Sequence, residues 1–197
     1  MTPEEAGAVL AAEAKRFAGF GWMRGTSGNL SLVLSRDPLT LAVTASGRDK
    51  GDLTSADVVV VGADGAAVGP VAARPSAEAA FHAHLAARTG AGAVVHVHTV
   101  AAVAVAARQP DGIGLEGWEM LKGIGRRASG DLVRVPVVAN SQDMGELAER
   151  FDAAWEPATP ALVVASHGLY AWGADALQAR HHTEIVEWLL ELTLAGA

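Results

Sequence analysis

The sequence contains no cysteine. Disulfides and thiolate ligands are therefore excluded, and any metal site must be built from histidine and carboxylate. Basic clusters are also missing: nothing exceeds pairs such as Lys15-Arg16 and Arg126-Arg127, and the net charge is −7. A balance of that sign argues against nucleic acid and anionic membrane as partners. Long apolar runs are absent too, since a stretch such as Val100 to Ala107 is too short to span a bilayer. The opening Thr2-Pro3-Glu4-Glu5 is acidic and has no apolar core of a signal peptide, so a cytoplasmic location is expected.

What is present suits a soluble, helix-rich α/β protein. Half of the 197 residues are hydrophobic, many of them alanine, and 19% are charged. That length allows one domain, residues 1–197, with a full core. No repeat, low-complexity segment or linker interrupts it.

Thr2 reads as the N-cap of a first helix, with Pro3 in the first turn and Glu5 closing a capping box; Gly19 and Gly21 end it. Strands are expected at Leu30 to Leu34 and Leu39 to Thr44, joined by the Arg36-Asp37-Pro38 turn, and at Val58 to Val61. Ser76 is the expected N-cap of a helix running to about Arg88. Ala93 to His98 follows as a strand, then a helix over Thr99 to Ala107 and a short helix around Trp118 to Ile124. Leu132 to Val138 reads as one strand, and Ser141 as the N-cap of a helix over Gln142 to Trp155. Strands at Ala161 to Ala165 and Leu169 to Trp172 precede a closing helix from Ala174 to about Leu194. Strands alternating with helices, some in hairpin-like pairs, indicate a layered α/β domain with a mixed sheet.

The chemistry gathers around Ala93-Val94-Val95-His96-Val97-His98. On a strand, His96 and His98 point the same way, roughly 6–7 Å apart along the chain. Such a pair can chelate a divalent metal or simply occupy a polar strand face, and spacing alone does not choose. His167 follows an apolar strand and precedes Gly168, which makes it a candidate third ligand or a capping residue. A His₃ set leaves the open position that catalytic zinc requires. His82 and His84 share the same spacing, but in a helix they lie about 200° apart and read as structural. His181 and His182 face different ways, with His181 and Glu184 spaced for an ion pair.

Three turns offer backbone N–H groups to an anion: Ser27-Gly28-Asn29, Ser46-Gly47 and Ser76 at its helix start. Each is weak alone; together, beside a metal site, they suggest a phosphorylated substrate. Lys50 or Lys122 could add charge, although a lone lysine is usually just solvated. Glu78, just after Ser76, and Glu119, in an otherwise apolar short helix, are the acid/base candidates.

These segments, in order, are Thr26-Ser27-Gly28-Asn29, Ser46-Gly47, Pro75-Ser76-Ala77-Glu78, His96-Val97-His98 and His167-Gly168. In order and spacing they resemble the class II aldolase/adducin family over essentially the whole chain. Gly117-Trp118-Glu119-Met120-Leu121-Lys122-Gly123-Ile124, Asn140-Ser141-Gln142-Asp143 and His167-Gly168-Leu169-Tyr170-Ala171-Trp172-Gly173 look most like its branch that dehydrates 5-methylthioribulose 1-phosphate in methionine salvage.

The resemblance implies a three-layer α/β/α fold with a largely antiparallel, mixed central sheet. It also implies a homotetramer with active sites at subunit interfaces. It implies Zn²⁺ on His96, His98 and His167, and a substrate phosphate held by Asn29, Ser46, Gly47 and Ser76. Ala77 stands where family aldolases carry a second serine, which leaves one phosphate contact unaccounted for. In those aldolases the glutamate matching Glu78 is the acid/base; in the dehydratase branch the role passes to the one matching Glu119. Glu119 is the first candidate here and Glu78 the second.

Some family members use a tyrosine from a neighbouring subunit, but Tyr170, the one tyrosine, directly follows the metal loop and is poorly placed for that role. The expected reaction yields 2,3-diketo-5-methylthiopentyl 1-phosphate and water. The rival within the fold is a sugar-phosphate aldolase that cleaves a ketose 1-phosphate. A third reading is a scaffold like the adducin head, against which the intact histidines argue. His₃ sites also accept Mn²⁺, Fe²⁺ or Co²⁺. Trp118, Trp172 and Met144 are unranked candidates for the methylthio tail.

Overall fold

Short apolar runs broken by Gly, Pro and Asp leave little room for long strands, and the sheet is accordingly built from many short ones. A computed structural model describes residues 1–70 and 73–196. Helix α1 spans Pro3–Gly19, and the capping box is formed: Thr2 Oγ1 accepts from the Glu5 N–H while the Glu5 carboxylate accepts from the Thr2 N–H. Strands β1 (Asn29–Arg36) and β2 (Leu39–Thr44) make the expected hairpin, and β3 (Val58–Val61) continues it. Helix α2 (Ala79–Thr89), β4 (Ala93–Val97) and α3 (Val100–Arg108) follow. After them come β5 (Ile113–Leu115), a 3-10 helix at Glu119–Ile124, β6 (Val133–Val135) and β7 (Val137–Val138). The chain closes with α4 (Met144–Ala154), β8 (Ala161–Val164), β9 (Gly168–Gly173) and α5 (Ala176–Ala195).

Seven strands form one sheet in the order β3-β2-β1-β4-β9-β8-β7, antiparallel except for the parallel β7–β8 pair. The period of two sorts side chains to opposite faces. Ala93, Val95 and Val97 of β4, with Leu169 and Ala171 of β9, join the core under α1, α3 and α5. Val94, Tyr170 and Trp172 face the other way, into the core under α2 and α4. This is the expected three-layer α/β/α arrangement with a largely antiparallel mixed sheet.

Several local expectations are corrected. Leu132 to Val138 is not one strand: Pro136, which has no N–H to offer a ladder, divides it. The first part pairs with β5 in a separate two-stranded sheet, and the second becomes an edge of the main one. Asp143, not Ser141, caps α4, accepting from the N–H groups of Gly145 and Glu146. Ser76 is not the N-cap of α2, which starts at Ala79 after Glu78; its hydroxyl accepts both from the Glu78 N–H and from Asn29 Nδ2. His98 lies one residue beyond β4, where its N–H donates to Trp22 O at 3.0 Å.

Candidate active site

One row of the sheet supplies the floor of the site. Asn29 of β1 is directly opposite His96 of β4, and His96 is directly opposite Tyr170 of β9. Residues paired in this way share a face. That face looks towards α2, and Glu78, the residue just before that helix, reaches the row.

His167 enters from the β8–β9 turn, after Ser166 in the left-handed region at φ 58°. Gly168 then lets β9 press against β4, since a Cβ there would lie 2.3 Å from Val97 O and 3.2 Å from His96 Cε1. Gly28 serves on the other side: its φ is +74° and a Cβ would sit 2.8 Å from His96 O.

The result brings three ring nitrogens together. His96 Nε2 is 2.8 Å from His98 Nε2 and 3.3 Å from His167 Nε2, and one ligand atom from each residue falls within 4.8 Å of the others. His96 Nδ1 donates to Leu169 O at 3.1 Å, which leaves its Nε2 lone pair directed at the cluster. Burial, reinforced by His98 and His167 and opposed by Glu78, pushes the His96 pKa down to about 3. Burial likewise lowers His98, with His167 adding to the shift. Ring nitrogens as close as His96 Nε2 and His98 Nε2 repel each other unless a proton or a metal cation lies between them. The donor set therefore fits a divalent metal ion, and its all-nitrogen character suits Zn²⁺ among others.

Glu78 closes the cluster. Its Oε1 is 3.0 Å from His167 Nε2 and its Oε2 is 3.6 Å from His96 Nε2, while Asn29 Nδ2 donates to Oε2. Burial works to raise its pKa. Hydrogen bonds from His167 and Asn29 oppose this and hold the carboxyl well below the usual range.

A cavity of about 220 Å³ adjoins the histidines and is lined by Thr26, Ser27, Gly28, Asn29, Ser46, Gly47, Lys50, Ser76, Ala77, Glu78 and His98. The three turns singled out as anion cradles thus line one space. Lys50, weighed as a charge for the anion site against an ordinary solvated lysine, is only 1% exposed; its Nζ donates to Thr26 O at 3.0 Å and Arg48 O at 2.8 Å. Burial lowers its pKa, with Asp49 and Glu78 opposing. Its place between Gly47 and Gly51, in the loop carrying Ser46, was the available signal.

Glu119 is not brought to this site. It lies on the 3-10 helix with its side chain 75% exposed, paired to Lys122. Trp172 and Met144 belong to the core under α2 and α4 and Trp118 packs on the opposite core, so none of them lines the cavity. A larger cavity of about 450 Å³, bounded by Phe20, Trp22, Met120 and Trp188, contains none of the three histidines. His82 and His84 are structural as expected: His82 Nδ1 is 2.8 Å from Ser31 Oγ and His84 Nε2 is 3.1 Å from Asp152. Glu184, spaced for a pair with His181, is held by Arg16 instead, whose Nε donates to it at 2.6 Å.

The model of the Class II Aldolase and Adducin N-terminal domain matches residues 8–194. This chain belongs to the class II aldolase and adducin family. Among its relatives, the methylthioribulose-1-phosphate dehydratase of Sorangium cellulosum is 42% identical over 180 residues, covering 88% of this chain and 84% of that protein. The dehydratase of the same name from Persephonella marina is 38% identical, covering 87% and 80%. L-fuculose-1-phosphate aldolase from Thermus thermophilus superposes with a TM-score of 0.73 at 24% identity, covering 98% of this chain and 95% of that one, which shows a shared fold. The metal dependence of the family agrees with the histidine cluster.

Proposed function

We propose that this chain is a hydro-lyase of methionine salvage that converts 5-methylthioribulose 1-phosphate to 2,3-diketo-5-methylthiopentyl 1-phosphate and water. The observation that carries the reading is the shared wall: His98 and Glu78 border both the histidine cluster and the anion-sized cavity. A phosphate in that cavity places the carbons of a five-carbon ketose beside the cluster. Relatives bearing the dehydratase name at about 40% identity support the substrate class.

In this reading His96, His98 and His167 hold Zn²⁺. A divalent ion there supplies Lewis acidity that makes the proton alpha to the ketose carbonyl easier to remove. The phosphate is held by Asn29, Ser46, Gly47 and Ser76, with Lys50 adding positive charge at the base of the pocket. Glu119 removes the C3 proton and returns it to the C4 hydroxyl, which leaves as water; the enol then tautomerises to the diketone. Because Glu119 is exposed and outside its own chain's pocket, it serves the pocket of a neighbouring copy in a homotetramer with interfacial sites. Glu78, held as a carboxylate against His167, orients the cluster and remains the second acid/base candidate.

One observation favours the aldolase reading: the carboxylate touching the histidines is Glu78, not Glu119. In that case the C3–C4 bond breaks instead of the C4–O bond. Incubation with 5-methylthioribulose 1-phosphate separates the two. The dehydratase gives a diketone with no aldehyde, and release of an aldehyde would establish the aldolase.

A further inference from the structure

Tyr170 sits directly opposite His96 across the β4–β9 ladder and is fully buried. Its ring centroid is 3.9 Å from that of His96, with only 11° between the planes. Its contacts with Phe81 and His82 are edge-on, at 84° and 66°. The flat contact is thus reserved for the imidazole. The Nδ1 bond to Leu169 O fixes one edge of the His96 ring and the stack fixes its face, so Nε2 has one direction left.

The hydroxyl of Tyr170 supplies a second observation. It is buried without a well-formed hydrogen bond, and the polar group acting on it is the Glu78 carboxylate. A neutral phenol has one O–H to donate. Buried hydroxyls are generally paired, and Glu78 is the acceptor within this one's surroundings. Glu78 in turn reaches His167 and His96. The ring of Tyr170 therefore touches the histidine cluster directly, and its hydroxyl bears on the cluster only through Glu78.

We infer that Tyr170 is a positioning residue of the metal centre, its ring holding the plane of His96 and its hydroxyl holding the Glu78 carboxylate beside the histidine nitrogens. The inference rests on reading His96, His98 and His167 as metal ligands, and it concerns how tightly and in what geometry they bind.

The test is a Co²⁺ titration of the chelator-stripped full chain, read by visible absorption. It compares wild type, Tyr170→Phe, Tyr170→Leu, Glu78→Gln and the double variant Tyr170→Phe/Glu78→Gln. Tyr170→Phe keeps the stack and loses the oxygen. It should weaken Co²⁺ binding about 10-fold and shift the cobalt bands, in the range expected when an outer partner of a ligand is removed. That loss should vanish in the Glu78→Gln background, because the oxygen acts through Glu78. Tyr170→Leu, which loses the ring as well, should weaken binding about 100-fold. If the leucine variant does not fold, the phenylalanine cycle decides alone.

Tyr170→Phe binding Co²⁺ as wild type does, with the same spectrum, would overturn the inference, and so would an equal loss in both backgrounds. A wild-type chain that binds no Co²⁺ would overturn the metal reading together with the inference. Tight wild-type binding with indifferent variants would overturn the inference alone.

Discussion

Lys50 carries its charge into a nearly closed pocket, where two carbonyl oxygens hold the ammonium and leave its third hydrogen for a ligand. Removing it should act on substrate binding more than on the chemical step. Lys50→Met is expected to raise KM for the phosphorylated substrate at least 10-fold while leaving kcat within a few-fold. A fall in kcat at unchanged KM would remove Lys50 from the phosphate site. Its place in the Ser46-Gly47 loop makes it a candidate for the anion site, but its burial is not legible: nothing in a linear pattern says that Thr26 O lies beneath it. The histidines are different. His96 and His98 are legible because the period of a strand dictates their common direction, and His167 because a strand end followed by glycine exposes it. Ser76 shows the opposite limit, since its hydroxyl accepts from the nearby Glu78 N–H and also from Asn29, and only the fold brings Asn29 to it.

The elements were legible to the extent that pattern alone defines them. β2 and β3 match their expected limits, and α1 starts at its capping box. The 132–138 segment was misread because its alternation continues across Pro136, whose effect depends on which partner strands are present. Between elements, one buried contact ties α5 to the segment just after the His96–His98 pair. Thr99, the N-cap of α3, donates to Glu187 of α5 at 2.8 Å, and Glu187 is 1% exposed.

Burial raises the Glu187 pKa from 4.5 to about 7, with the Thr99 hydrogen bond opposing and Glu191 adding to it. The folded state therefore keeps a proton that the unfolded chain releases. Stability falls as pH rises from about 4.5 to about 7 and is level above that. Glu187→Gln preserves the acceptor for Thr99 and removes the titration. It should gain up to about 3 kcal/mol at pH 8 and nothing near pH 4. Thermal unfolding of both proteins across that range checks this, and parallel pH profiles would refute it.

At the scale of the whole molecule, the histidine cluster and the exposed Glu119 belong to different regions of one chain. Assembly of copies brings them together in the proposed mechanism, and no periodicity in a single sequence encodes that relation. The arrangement is directly testable. His96→Ala and Glu119→Gln should each be inactive alone, with the glutamate change lowering the rate about 10²–10⁴-fold. Co-assembled mixtures should recover activity, because some pockets then pair intact histidines with an intact Glu119 from the neighbour. No recovery in verified mixed assemblies would place the acid/base within the same chain and favour Glu78.

The central claim is that a divalent ion on His96, His98 and His167 makes this chain a dehydratase. Turnover of 5-methylthioribulose 1-phosphate, followed by diketone formation before chelation, after chelation and after restoring Zn²⁺, tests it most directly. The account predicts diketone formation that chelation abolishes and Zn²⁺ restores. Diketone formation that persists in metal-stripped protein, or none in the zinc-loaded protein, would contradict it.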